Sequence, residues 1–289
     1  SLESPTDGSV FAIKYLDGQP RYDYLQPNSR FAVNHRKVRN SFPGQDVVPV
    51  GYTKGGGKAV YYVWLDRNPG DYYLYDEATG KANYLLSDME WLNPGEMAET
   101  KVISYPARDG LVIEAFLTLP KNGKSNLPLV INPHGGPFGI YDRWGFDPDI
   151  QMLASHGYAV MQVNFRGSGN YGKRFEEAGY KQWGKAMQDD LTDATQWAIS
   201  QGIADPDRIC IYGASYGAYA AMMGVAREQD LYACAIGYVG VYDLPLMVKV
   251  DTRGSLDRYS SGWWLKNSFW KLWAEKISIK YHLLIWQLR

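Results

Sequence analysis

A serine set between two glycines is the feature of this sequence best suited to chemistry. In Gly213-Ala214-Ser215-Tyr216-Gly217 the hydroxyl of Ser215 stands at the spacing G-x-S-x-G. The apolar run RICIY (208–212) precedes it and the helix-forming stretch SYGAYAAMMGVAREQ (215–229) follows. A strand that feeds a helix through so short a turn lifts the serine oxygen above the sheet edge, and the glycines keep side chains out of a crowded bend. The backbone N–H of Tyr216 then points at a developing oxyanion, and the helix N-terminus adds partial positive charge there. Attack by serine on an acyl carbonyl is the chemistry this arrangement serves. A tight turn without chemistry is the competing reading, and the strand-turn-helix context favours the nucleophile.

A second loop fits the same chemistry. NPHGGPFG (132–139) follows the apolar run LPLVI (127–131), where an oxyanion loop belongs. Its glycines let backbone N–H groups approach a substrate carbonyl. Gly136 is the preferred donor and Gly135 the alternate. His134 is a poor general base, because after a nucleophile elbow the base follows the serine in chain order; a role orienting the loop suits it better. His156 reads as a cap or surface residue, and His35 lies in a strand-rich zone. Asp189 and Asp190 read as charges favouring the start of a helix. GYTKGGGKA lacks the phosphate-loop spacing, so Gly55–Gly57 read as a turn, and no metal site is visible.

The elements that position these loops fall into zones. Residues 1–99 are rich in Tyr, Val, Gly and Asp and read as short strands, with DYYLYDEATGKANYLL a hairpin turning near Thr79-Gly80. From about residue 100 strands and helices alternate. KVISYPARDGLVIEAFLTLP gives two strands, and KAMQDDLTDATQWAISQG is an amphipathic helix with Met187, Leu191, Ala194, Trp197 and Ala198 on one face. Such alternation makes an α/β architecture with a parallel sheet. Of 289 residues, 45% are hydrophobic and 21% charged, with a formal net charge of −1. The balance and the lack of a basic block argue against nucleic acid and anionic membranes as partners. No apolar stretch reaches the roughly 18 residues of a membrane span. Cys210 and Cys234 read as two inert core thiols rather than a disulfide. The N-terminus SLESPTDG reads as a cut end.

HGGP (134–137), NFRGSGNYG (164–172), GKAMQDDLTDATQWA (184–198), DPDRICIYGASYGAYAA (205–221) and VGVYDL (239–244) together resemble the prolyl oligopeptidase family of serine peptidases, in its acylaminoacyl-peptidase and dipeptidyl-peptidase branch. The resemblance spans about residues 45–262. It implies an α/β-hydrolase domain, incomplete at its C-terminal end, over 100–262. It also implies that residues 1–99 are the C-terminal part of a β-propeller that screens substrates by size. Ser215 matches the nucleophile, and the Tyr216 N–H and the Gly135 and Gly136 backbone match the oxyanion hole. Tyr216, Val241 and Tyr259 match a pocket for the residue before the scissile bond, with core packing an even alternative. The family needs an Asp and then a His after the serine. Here the Trp-rich tail, 263–289, breaks the pattern, and His282 is the one histidine after Ser215. Asp243, Asp257 or Glu275 with His282 is the weak internal solution, Asp243 being the one that follows a strand. The stronger expectation is a truncated chain that lacks its triad partners and is weakly active or inactive alone. The implied activity is serine-type hydrolysis of short peptides, with no cofactor. An esterase and a non-catalytic binding protein on the same fold are the alternatives.

Overall fold

The computed structural model describes residues 1–247 except Asp17, Lys124 and Pro245; residues 248–289 lie outside the described part. Two compact units are present, the first comprising residues 1–101, 118–121 and 143–156, the second residues 102–117, 122–142 and those from 157 onward.

In the first unit β1 (Leu2–Glu3), β2 (Val10–Tyr15) and β3 (Arg21–Asp23) form an antiparallel three-stranded sheet. A helix, α1 (Arg30–Ser41), separates it from β4 (Asp46–Tyr52), β5 (Lys58–Leu65), β6 (Asn68–Asp76) and β7 (Lys81–Ser87). These four pair in sequence order as an antiparallel meander, with Val47, Tyr61, Val63 and Tyr75 in its core. The hairpin between β6 and β7 turns as expected, with Gly80 at φ 66° and its N–H donating to the Asp76 carbonyl at 2.8 Å. The helix α1 was not expected in a zone read as strands. Its signals were present: Ser29 caps it by accepting the Ala32 N–H, and Phe31, Ala32, His35 and Val38 recur on its buried face.

The second unit carries a six-stranded sheet. Its strands are β8 (Thr100–Pro106), β9 (Val112–Thr118), β10 (Leu127–Pro133), β11 (Ala159–Asn164), β12 (Ala204–Ala214) and β13 (Cys234–Tyr238), in the spatial order β8-β9-β11-β10-β12-β13. The helices are α2 (Pro148–Ser155), α3 (Lys173–Ala178), α4 (Ala186–Ser200) and α5 (Tyr216–Arg227); α2 groups with the first unit. β10 runs parallel to both β11 and β12, and β12 parallel to β13. All six residues of β11 are buried, as a central strand covered on both faces requires. This is the sheet order of an α/β hydrolase.

One cysteine expectation is overturned. Cys210 on β12 and Cys234 on β13 stand directly opposite in register, with Cα atoms 4.6 Å apart, and are joined as a disulfide. Each thiol alone looks like a core residue. Only the register of two parallel strands brings the pair onto one face.

Candidate active site

The nucleophile candidate sits where β12 gives way to α5. Ser215 has φ 56° and ψ −117°, a conformation that L-residues seldom adopt, and its N–H donates to the Tyr238 carbonyl of β13 at 3.0 Å. The flanking glycines have a steric cause. A Cβ at Gly217 would stand 2.1 Å from the Pro133 carbonyl oxygen, and one at Gly213 would stand 2.5 Å from the Gly217 carbonyl carbon. Only hydrogen at both positions lets α5 start this close to β10. Tyr216 is the first residue of α5, so its N–H has no acceptor within the helix.

Because β10 and β12 are parallel neighbours, the loops that follow them emerge at the same sheet edge. The HGGP loop therefore lies beside the serine: a Cβ at Gly135 would be 3.4 Å from Ser215 Cβ and 4.0 Å from its Oγ. Gly136 comes next, at φ 114°, with its α-carbon against Ile140.

His134 holds this loop. It is buried and stacks on Phe165 with ring centroids 4.4 Å apart. Its Nδ1 N–H donates to the Gly135 carbonyl at 2.7 Å, and its Nε2 lies 2.8 Å from the Ser168 hydroxyl. Ser168 Oγ is also 2.6 Å from the Phe165 carbonyl, so one hydroxyl proton is shared between two acceptors. Burial pulls the His134 pKa down to about 4, against the bond to Gly135, and the ring is neutral at pH 7. The other described histidines belong to the first unit. His35 is buried on α1, its Nδ1 2.7 Å from the Tyr24 hydroxyl, and His156 caps the end of α2.

Two residues depart from their sequence reading, and a third, Asp243, is left untested because its partner His282 lies outside the described residues. Tyr216 was matched to a substrate pocket, but its ring is 1% exposed and packs on Phe165, Trp183 and Tyr219. The side chain is core, and the packing alternative holds. Asp190 was read as a charge favouring a helix N-terminus. It is instead fully buried and accepts from the Arg166 guanidinium at 2.8 and 2.9 Å. Burial pushes its carboxyl up to about 6, while Arg166 pulls the other way. Asp243, the acid of the weak internal triad, is exposed and uses Oδ1 to accept the Leu246 N–H at 2.8 Å as a cap. Val241 is half-buried, and Asp257, Tyr259, Glu275 and His282 lie outside the described residues. Sequence reasoning missed Ser168 and Arg166 as supports of the site. Both stand in the quoted NFRGSGNYG stretch, but nothing in the stretch names their partners.

Comparison with known proteins agrees with this fold. A model of the prolyl oligopeptidase family matches residues 144–274. Dipeptidyl aminopeptidase BIII of Pseudoxanthomonas mexicana is 38% identical over 181 residues, covering 60% of this chain and 26% of that protein. Dipeptidyl peptidase family member 6 of Caenorhabditis elegans is 32% identical over 270 residues, covering 86% of this chain and 36% of that protein. A puromycin-hydrolyzing peptidase of Mycobacterium tuberculosis superposes with a TM-score of 0.66 at 23% identity, over 78% of this chain and 35% of that one. The chain thus spans about a quarter to a third of the length of the curated relatives it matches.

Proposed function

Because the chain belongs to the prolyl oligopeptidase family, we propose that Ser215 is the nucleophile of a serine-type peptidase that hydrolyses short peptides through an acyl-enzyme. One observation carries the reading: Ser215 stands in a left-handed turn at the end of β12 with the HGGP loop beside it. In this mechanism the Ser215 oxygen attacks the scissile carbonyl while an imidazole takes its proton. The N–H groups of Tyr216 and Gly136, with Gly135 the alternate, receive the oxyanion. Transfer of the imidazole proton to the leaving amine yields the acyl-enzyme, which water then hydrolyses.

In this reading the base and its carboxylate follow the serine in chain order. Support comes from that order, since His35, His134 and His156 all precede Ser215 and His134 is committed to its own loop. A serine without its imidazole retains only the residual catalysis of its oxyanion hole and binding contacts.

A fluorophosphonate probe and a dipeptidyl p-nitroanilide test the reading. The full-length protein is expected to label at Ser215 and to release p-nitroaniline, and Ser215→Ala to do neither. The 289-residue chain alone is expected to label slowly. Rapid stoichiometric labelling of that chain would bring the Asp243–His282 solution back. Labelling of the full-length protein at another residue would remove Ser215 from the chemistry.

A further inference from the structure

Beside the segment that supports the HGGP loop lies an ion network that the chemistry above does not use, buried at Arg166 and Asp190 and half exposed at Asp109. The Arg166 side chain is 8% exposed and that of Asp190 fully buried. Asp190 Oδ2 accepts both the Arg166 Nε–H and the Arg166 backbone N–H at 2.9 Å, and Oδ1 accepts from Nη2 at 2.8 Å. On its other side the guanidinium donates to Asp109 at 2.7 and 3.1 Å. One side chain thereby ties α4, the turn between β8 and β9, and the segment leaving β11.

That segment, residues 165–169, is what the HGGP loop leans on. The Gly139 N–H donates to the Gly167 carbonyl at 3.3 Å, and the Gly169 N–H donates to the Ile140 carbonyl at 3.0 Å. The Ser168 hydroxyl meets His134, and Phe165 stacks on the His134 ring. Each of these contacts fixes residues 134–140 against residues 165–169. Among the described residues, Arg166 and its two carboxylates tie residues 165–169 to α4 and to the turn between β8 and β9 by ionic bonds.

A buried ion pair is weak evidence for stability, since an apolar pair of similar volume often replaces one without loss. Its directional bonds, however, fix where a backbone sits. Oxyanion stabilisation depends on such placement, because a displacement of about 1 Å can cost roughly 100-fold in rate. We propose that Arg166, clamped by Asp190 and Asp109, is a positioning residue that sets the oxyanion loop at its working distance from Ser215. The proposal rests on the reading of Ser215 as the nucleophile.

The test uses the full-length protein with p-nitrophenyl acetate as substrate and Ser215→Ala as the blank. Arg166→Met alone strands a buried carboxylate, so the informative variant is the double replacement Arg166→Met/Asp190→Asn, which removes both charges. Circular dichroism and a melting curve establish that it folds. The folded double variant is expected to lose roughly 100-fold in kcat with KM within about twofold, as for an interaction made in the transition state. Arg166→Lys, which keeps the charge but loses the bidentate fork, is expected to fall between the two. A folded double variant with wild-type kcat overturns the proposal and leaves Ser215 in its role. A full-length protein no faster than its Ser215→Ala blank overturns both.

Discussion

At the scale of single residues, burial sets the charge state of two histidines, His134 in the HGGP loop and His35 on α1 of the first unit. His134 is kept neutral beside Ser168 and Gly135, and His35 is kept neutral beside Tyr24 and the Val47 carbonyl. Burial brings both pKa values down to about 4, from the 6.5 of a free imidazole. A depressed histidine contributes stability that is fully present above pH 6.5 and is lost as pH falls through about 4. Between those values the unfolded chain takes up protons that the folded chain refuses. Melting temperature is therefore expected to fall steadily between pH 6.5 and pH 4. His134→Gln is expected to flatten the part of that slope owed to this ring. A His134→Gln protein with the wild-type slope would show that the ring is already charged in the fold.

At the scale of elements, the sequence spelled out what depends on neighbours along the chain. The elbow, the HGGP loop, the turn at Gly80 and the alternation of strand and helix rest on local steric rules, and all are found where the motifs stand. Contacts set by register or by tertiary crossing were not legible. The disulfide is one case, because it needs Cys210 to face Cys234 across two strands. The bond from Arg166 to Asp190 is another, since a carboxylate early in α4 carries the same sequence signal whether it faces water or a guanidinium. The helix α1 is a third kind, a local signal outweighed by its Tyr- and Val-rich surroundings. The disulfide itself is testable. It closes a loop with a sequence separation of 24, which on chain-entropy grounds adds about 3 kcal/mol. Reductant is expected to lower the melting temperature by several degrees, and Cys234→Ser to reproduce that drop and abolish the response to reductant. An unchanged melt on complete reduction would show that the sheet holds its register without the bond.

At the scale of the whole molecule, two units share one chain: a strand meander with the order of a propeller blade, and an α/β-hydrolase sheet that carries Ser215. The unusual torsion at Ser215 bears on how the second unit endures heat. A residue with a side chain held at φ 56° and ψ −117° costs on the order of 1–3 kcal/mol, and glycine occupies that region freely. Ser215→Ala and Ser215→Gly both remove the hydroxyl, so they differ in backbone relief, in one methyl group and in the freedom of the unfolded chain. The glycine protein should be the more heat-resistant of the two by a few degrees, despite the extra freedom glycine gives the unfolded chain. The chemistry proposed for Ser215 and the durability of the fold are then opposed at a single dihedral angle. A breeder of tougher variants who screens for survival without activity will find the dead glycine form first.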